Sequence, residues 1–307
     1  MERPHGYVTR KVSGNSQLFR VVHPPTCLSY MTLVYACIAP HGSETIKRIT
    51  PRRVQHSFRE TEQGLRTLAS HVIRSRPDTI VIATPHNLRL WKQICIVTSQ
   101  NSSGKLLGEN GRSVSLRVKC DIEFSHKLLM KSFEKGLPVV GANYGSTDGE
   151  TSDLPMDWGT LVPLWFILNK KRQQPRVSIV TPSREIPLTE NVRFGRTIAE
   201  IMEQDRSKKF VFIASADQAH AHRKSGPYGF NRAAAEYDRI VLRAIEENNL
   251  DTVLQLKSKF VEDAKPDSLW QLAILAGIIE RVKMKSQLFS YQLPTYFGMI
   301  CAGYARL

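Results

Sequence analysis

Four short apolar runs punctuate the chain: "LVYACIAPH" at 33–41, "TIVIATPH" at 79–86, "VSIVTPS" at 177–183 and "FVFIASADQAHAH" at 210–222. Unbroken runs rich in Val and Ile predict strands covered on both faces, as in a parallel sheet. Between the first two, "VQHSFRETEQGLRTLASHVIRS" at 54–75 repeats its apolar residues near helical spacing and stops at Arg76-Pro77. That order is strand, helix, strand. Further helices are predicted at 195–205, 233–248 and 267–283, the last apolar enough to be largely buried. "LPTYFGMICAGYA" at 293–305 predicts a closing strand.

No internal repeat, low-complexity tract or long linker interrupts this pattern. The expected fold is therefore α/β: a single domain over 31–307, with a central mostly parallel or mixed β-sheet flanked by helices. In such sheets ligands gather outside the carboxyl ends of the strands, which places the expected site. Residues 1–30 carry Arg3, Arg10, Lys11 and Arg20 against Glu2 and show no periodicity. They read as an N-terminal extension, poorly ordered or the product of an overcalled start, because Met31 opens a strand able to begin a protein.

Composition changes the picture little. The hydrophobic fraction of 41% and charged fraction of 23% are those of an ordinary folded protein. A net charge of +15 raises nucleic acid, anionic membranes and anionic small molecules as partners. Basic residues are scattered, however, in ones and twos such as Lys208-Lys209, with no long basic helix or aromatic-interleaved patch. The expectation is a solvated surface biased towards acidic substrates, with no nucleic-acid or membrane partner. The five cysteines, Cys27, Cys37, Cys95, Cys120 and Cys301, form no CxxC pattern and favour a reducing, cytoplasmic setting.

The chemistry concentrates at strand ends. Of nine histidines, His41, His86, His220 and His222 fall there, and His41 and His86 each follow a proline. Two neutral imidazoles suit Fe(II), Zn(II), Cu or Ni, and one added carboxylate makes a 2-His-1-carboxylate face with open coordination positions. A third histidine off the metal is then free for proton transfer. Candidate carboxylates are Glu44, Asp157, Asp217, Glu262, Asp263 and Asp267. Asp267 opens the buried-looking helix, where an N-cap role competes with ligation. His5, His23, His56, His71 and His126 lie in contexts that favour structural roles.

Together "ACIAPHGSE", "TIVIATPHN", "MDWGTLVPLWFI", "FIASADQAHAH", "GPYGF", "AKPDSLWQLAILAGII" and "YFGMICAGYA" resemble, in order and spacing, the class III extradiol ring-cleavage dioxygenases, the LigB-like superfamily. The resemblance covers essentially everything after residue 30. It implies an Fe(II) site, with Zn(II) or Mn(II) as alternatives, held by His41, His86 and a carboxylate, Asp267 or Glu262. It implies His220 as acid-base group, with His222 as auxiliary. Where many members carry Asp-His-Gly, this chain has Asp157-Trp158-Gly159, which makes Trp158 a substrate-lining candidate beside Tyr228. Arg89 and Arg223 are candidates for meeting a substrate carboxylate. The implied reaction opens a catechol or 2-aminophenol ring with O2. The implied assembly is a homo-oligomer, with a separate small subunit in some relatives. The rival readings are a zinc hydrolase or lyase and a non-enzymatic metal-binding protein on the same fold.

Overall fold

The computed structural model describes residues 32–169 and 174–307. The extension read at 1–30 lies outside the described residues. Among the described residues, eleven strands and eight α-helices follow in the order β1 (Leu33–Ala39), α1 (Arg59–Ser75), β2 (Thr79–Ala83), β3 (Ile94–Val97), β4 (Asn101–Leu107), β5 (Ser113–Lys119), α2 (Ile122–Glu134), β6 (Val139–Ala142), β7 (Asp153–Pro155), α3 (Trp158–Leu168), β8 (Arg176–Thr181), α4 (Leu188–Gln204), β9 (Phe210–Ser215), α5 (Arg232–Glu246), α6 (Asp251–Leu254), α7 (Ser258–Ala264), α8 (Leu269–Arg281), β10 (Met284–Gln292) and β11 (Met299–Arg306).

Eight strands form one mixed sheet in the order β10-β11-β1-β9-β2-β8-β3-β6, and β5-β4-β7 form a smaller one. The four apolar runs are its parallel centre, β1, β9, β2 and β8. Their composition has a plain cause. Ala36, Ile38, Val81, Ala83, Phe210 and Phe212 pack on one face with α4, α5 and α8. Tyr35, Cys37, Ile80, Ile82, Val211 and Ile213 pack on the other with α1 and α3. Each such Val, Ile or Phe contributes ~1.5–3 kcal/mol by leaving water, and a polar residue on either face needs a buried partner, as Ser178 has in Ser125.

Three sequence expectations shift. The helix expected at 195–205 starts earlier, at Leu188, after Pro187. The closing strand expected from 293 starts at Met299, and an unread strand, β10, precedes it as an edge. The region 94–155, where the apolar runs predict no element, holds β3 to β7 and α2.

α3 carries Pro163 inside it, and this positions the site. In an α-helix the N–H of residue 163 bonds the carbonyl of residue 159. Proline has no N–H, so the Gly159 carbonyl has no helical partner. Ser215, at the end of β9, fills the gap: its hydroxyl donates to the Gly159 carbonyl at 2.5 Å.

Candidate metal centre

The parallel register of β1 and β9, with Ala39 opposite Ser215, brings the residues just past the two strands together. The His41 backbone N–H donates to Asp217 Oδ1 at 3.0 Å. His41 Nδ1 lies 3.0 Å from Ser215 Oγ. Because the Ser215 hydroxyl already gives its one proton to Gly159, it accepts from His41, and Nδ1 is the protonated nitrogen. Nε2 is then left to face the site. Pro163 and Ser215 thus set a histidine tautomer two elements away.

His86 follows β2 on a turn held by Asp157, the N-cap of α3. Asp157 accepts from the Thr160 N–H at 3.0 Å, from Thr84 Oγ1 at 3.1 Å and from Asn87 Nδ2 at 3.1 Å. The His86 ring lies 4.1 Å from the Trp158 ring, centre to centre. Asp267 precedes α8 and does not cap it, since Ser268 holds the cap position. Its backbone is fixed on both sides: the N–H donates to the Gln218 carbonyl at 3.3 Å, and the carbonyl accepts from Gln271 Nε2 at 2.8 Å.

These three residues converge. His41 Nε2 and His86 Nε2 are 3.2 Å apart. Asp267 Oδ2 is 3.1 Å from His86 Nε2 and 3.4 Å from His41 Nε2. Asp217 Oδ2 is a further 3.1 Å from His41 Nε2. A cation bound about 2.1 Å from each donor would hold pairs of donors roughly 3.0 Å apart at right angles and roughly 3.4 Å apart at tetrahedral angles. The observed spacings fall in that interval. With His41 neutral, its Nε2 lone pair also faces two carboxylate oxygens, which a cation or a proton must separate. The donor set fits a divalent metal.

The electrostatics agree. Burial alone would lower the His41 pKa, but the Asp217 and Asp267 carboxylates outweigh it and raise it. Burial alone would raise the Asp267 carboxyl. Hydrogen bonds from His41 and His86, with the Arg184 charge, hold it far below the usual carboxylate range. Burial pushes Asp217 up despite His41 and His220.

Residues 35–301 match the family model described as the catalytic LigB subunit of aromatic ring-opening dioxygenase. The chain belongs to the LigB family. A curated relative, protein CA_C1420 of Clostridium acetobutylicum, is 26% identical over 255 residues, which are 83% of this chain and 54% of that protein. The chain therefore spans about half the length of the relative it matches. A solved structure of an uncharacterized protein, JW3007 from Escherichia coli K12, superposes with a TM-score of 0.54 at 12% identity. That match covers 88% of this chain and 99% of that one, a likeness of fold.

A cavity of about 710 Å³ opens over the three donors. His220 lines it, and its Nδ1 donates to the Gln218 carbonyl at 2.8 Å, leaving Nε2 free. Burial lowers its pKa against the pull of Asp217 and Asp267. The His220 ring stacks on Phe297 at 5.0 Å and meets Tyr228 edge-on at 5.6 Å. Trp158 and Arg89 also line the cavity.

Three expected residues stand elsewhere. Glu262 lies on α7 at the cavity wall, on an exposed face of that helix, outside the cluster formed by His41, His86 and Asp267. His222 does not line the cavity: its Nε2 is 3.0 Å from Asp238 Oδ2, a buried carboxylate on α5 that also takes the Ala219 N–H at 2.9 Å and the Tyr291 hydroxyl at 2.9 Å. Residues 220 and 222 diverge because this segment leaves the sheet, so the two-residue alternation of a strand no longer applies. Arg223 is turned to the Pro294 carbonyl, 3.0 Å away.

Asp217 was one carboxylate among six, and the β1–β9 register is what singles it out. Arg184, in the loop after β8, is not among the residues that the sequence pattern singles out. The rule that found the histidines, that chemistry collects past strand ends, applies to "VTPSRE" as well.

Proposed function

We propose that the chain is a non-haem Fe(II) extradiol dioxygenase that opens a catechol-type or 2-aminophenol-type ring beside its vicinal heteroatoms, with both atoms of O2 entering the product. The observation that carries this reading is the convergence of His41 Nε2, His86 Nε2 and Asp267 Oδ2 at an aromatic-walled cavity that also contains His220. His41, His86 and Asp267 would hold the iron, which when bound supplies open coordination positions and a path for charge between ring and O2.

The protein's own residues do the rest. His220 has its Nδ1 proton committed to Gln218 and is neutral near neutral pH, so Nε2 can take a proton from the ring hydroxyl and later return it to a departing oxygen. Trp158, Trp270, Tyr296 and Phe297 line the cavity, giving an apolar wall for an aromatic ring and excluding water. Arg89, half exposed and 3.8 Å from Glu185, would meet an acidic substituent of the ring. The four cysteines among the described residues are free and buried, in keeping with a reducing, cytoplasmic setting. Among those residues no helix is long and apolar enough to cross a membrane.

Anaerobic reconstitution with Fe(II), Mn(II) or Zn(II), followed by O2 uptake on catechols, protocatechuate-like acids and 2-aminophenols, tests the reading. Oxygen uptake and a yellow ring-opened product with iron are expected. Tight zinc with no uptake on any of these compounds would favour a hydrolytic or lyase reaction on the same fold.

A further inference from the structure

Arg184 lines the cavity and pairs with a residue of the centre. It lies three residues past β8, in a loop pinned by the Asn191 side chain, which donates to the Ser183 carbonyl at 3.3 Å. Its Nη2 pairs with Asp267 Oδ1. Its guanidinium carbon lies 4.7 Å over the Trp270 ring. Asp267 and Trp270 come from one short segment, so the planar guanidinium is clamped against that segment by a charge pair and a stacking contact. The two Asp267 oxygens therefore have separate duties. Oδ1 belongs to Arg184, and Oδ2 faces both histidines.

The geometry points to Arg184 as a positioning residue that keeps Asp267 a single-oxygen ligand and so preserves a coordination position for the substrate. This rests on the metal-centre reading above. A carboxylate free at both oxygens can chelate one cation through the pair, and that second oxygen would occupy a position needed by a chelating substrate or by O2. With Oδ1 held by the guanidinium, only Oδ2 is available. Lysine would not serve equally well. Its ammonium is a point charge on a flexible stem and lacks the flat face that Trp270 supports.

The test uses full-length protein loaded with Co(II), whose visible absorption weakens as its coordination number rises. The wild type is compared with Arg184→Met and Arg184→Lys, and each is titrated with catechol. In Arg184→Met, weaker absorption and a ~10–100-fold loss of catechol affinity are expected, the scale on which partners of metal ligands act. Arg184→Lys is expected to fall between the two, and it decides the matter by the same readouts if Arg184→Met does not fold. A wild-type spectrum and catechol affinity within twofold in a folded variant would overturn the role of Arg184 while leaving the metal centre standing. Failure of the wild type to take up Co(II) or Fe(II) would overturn both.

Discussion

Replacing Ser215 by Ala removes one hydroxyl and leaves two buried groups without partners. The Gly159 carbonyl loses the donor that stands in for the N–H missing at Pro163, and His41 Nδ1 loses its acceptor. Ser215 and His41 are both buried, at 0% and 2% exposure, so water does not simply replace the hydroxyl. Each orphaned group costs ~1–3 kcal/mol, so Ser215→Ala is expected to cost ~2–6 kcal/mol in all. Pro163→Ala separates the two halves. It returns an N–H to the helix at the position that bonds Gly159, so in that background Ser215→Ala orphans only His41 and costs ~1–3 kcal/mol. The coupling between the two sites is then ~1–3 kcal/mol, above the ~0.5 kcal/mol within which independent sites add. Urea unfolding of the four metal-free proteins measures it. Equal costs in both backgrounds would refute the claim that Pro163 creates the acceptor Ser215 serves. Metal affinity gives a second readout, with Ser215→Ala expected to weaken binding ~10–100-fold because His41 loses the bond that fixes its tautomer.

Gly159→Ala would bring a Cβ to 2.6 Å from Thr84 Oγ1, 2.8 Å from Asp157 Oδ1 and 3.0 Å from the His86 ring. Overpacking of ~1–3 kcal/mol exceeds the ~0.5–1 kcal/mol gained by removing a helical glycine, so a lower melting temperature and weaker metal binding are expected. A stabilised variant with unchanged affinity would count against the packing described. His222→Phe removes a hydrogen bond to Asp238 remote from the donors, and is expected to lose ~1–3 kcal/mol of stability while metal affinity stays within twofold. A large loss of affinity would return His222 to the site. Because burial lowers the His220 pKa below 6.5, the base-competent neutral form persists to lower pH than in a free imidazole. The acid limb of log kcat/KM is therefore expected to be centred below 6.5; a limb centred above that value contradicts the assignment.

The parts of this molecule that could be read from its sequence are those where one physical demand dominates. β1, β2, β8 and β9 are covered on both faces, so their residues are mostly apolar, and the turns after β1 and β2 advertise themselves by Pro-His. β5 carries an equally regular signal, buried at Val114, Leu116 and Val118 and outward between them. That alternation marks a strand with one face in water, unlike the continuous runs of the central sheet. β10 is an edge strand, half-buried over most of its length, and neither of the simple patterns describes it. The carboxylate at the centre was harder. Asp267 and Glu262 are five residues apart, and only the fold shows that one faces the histidines and the other the cavity wall. Arg184 and Ser215 reach the centre across the sheet, through contacts 83 and 174 residues apart in sequence, a separation that no local pattern reports.

The most direct test of the account is the fate of O2 itself. Iron-loaded protein given a catechol under 18O2 should yield a ring-opened product carrying label from both oxygen atoms, and His86→Ala protein should yield none. A product formed without labelled oxygen, or formed equally well by protein free of iron, would contradict the assignment of this site to ring-opening dioxygenation.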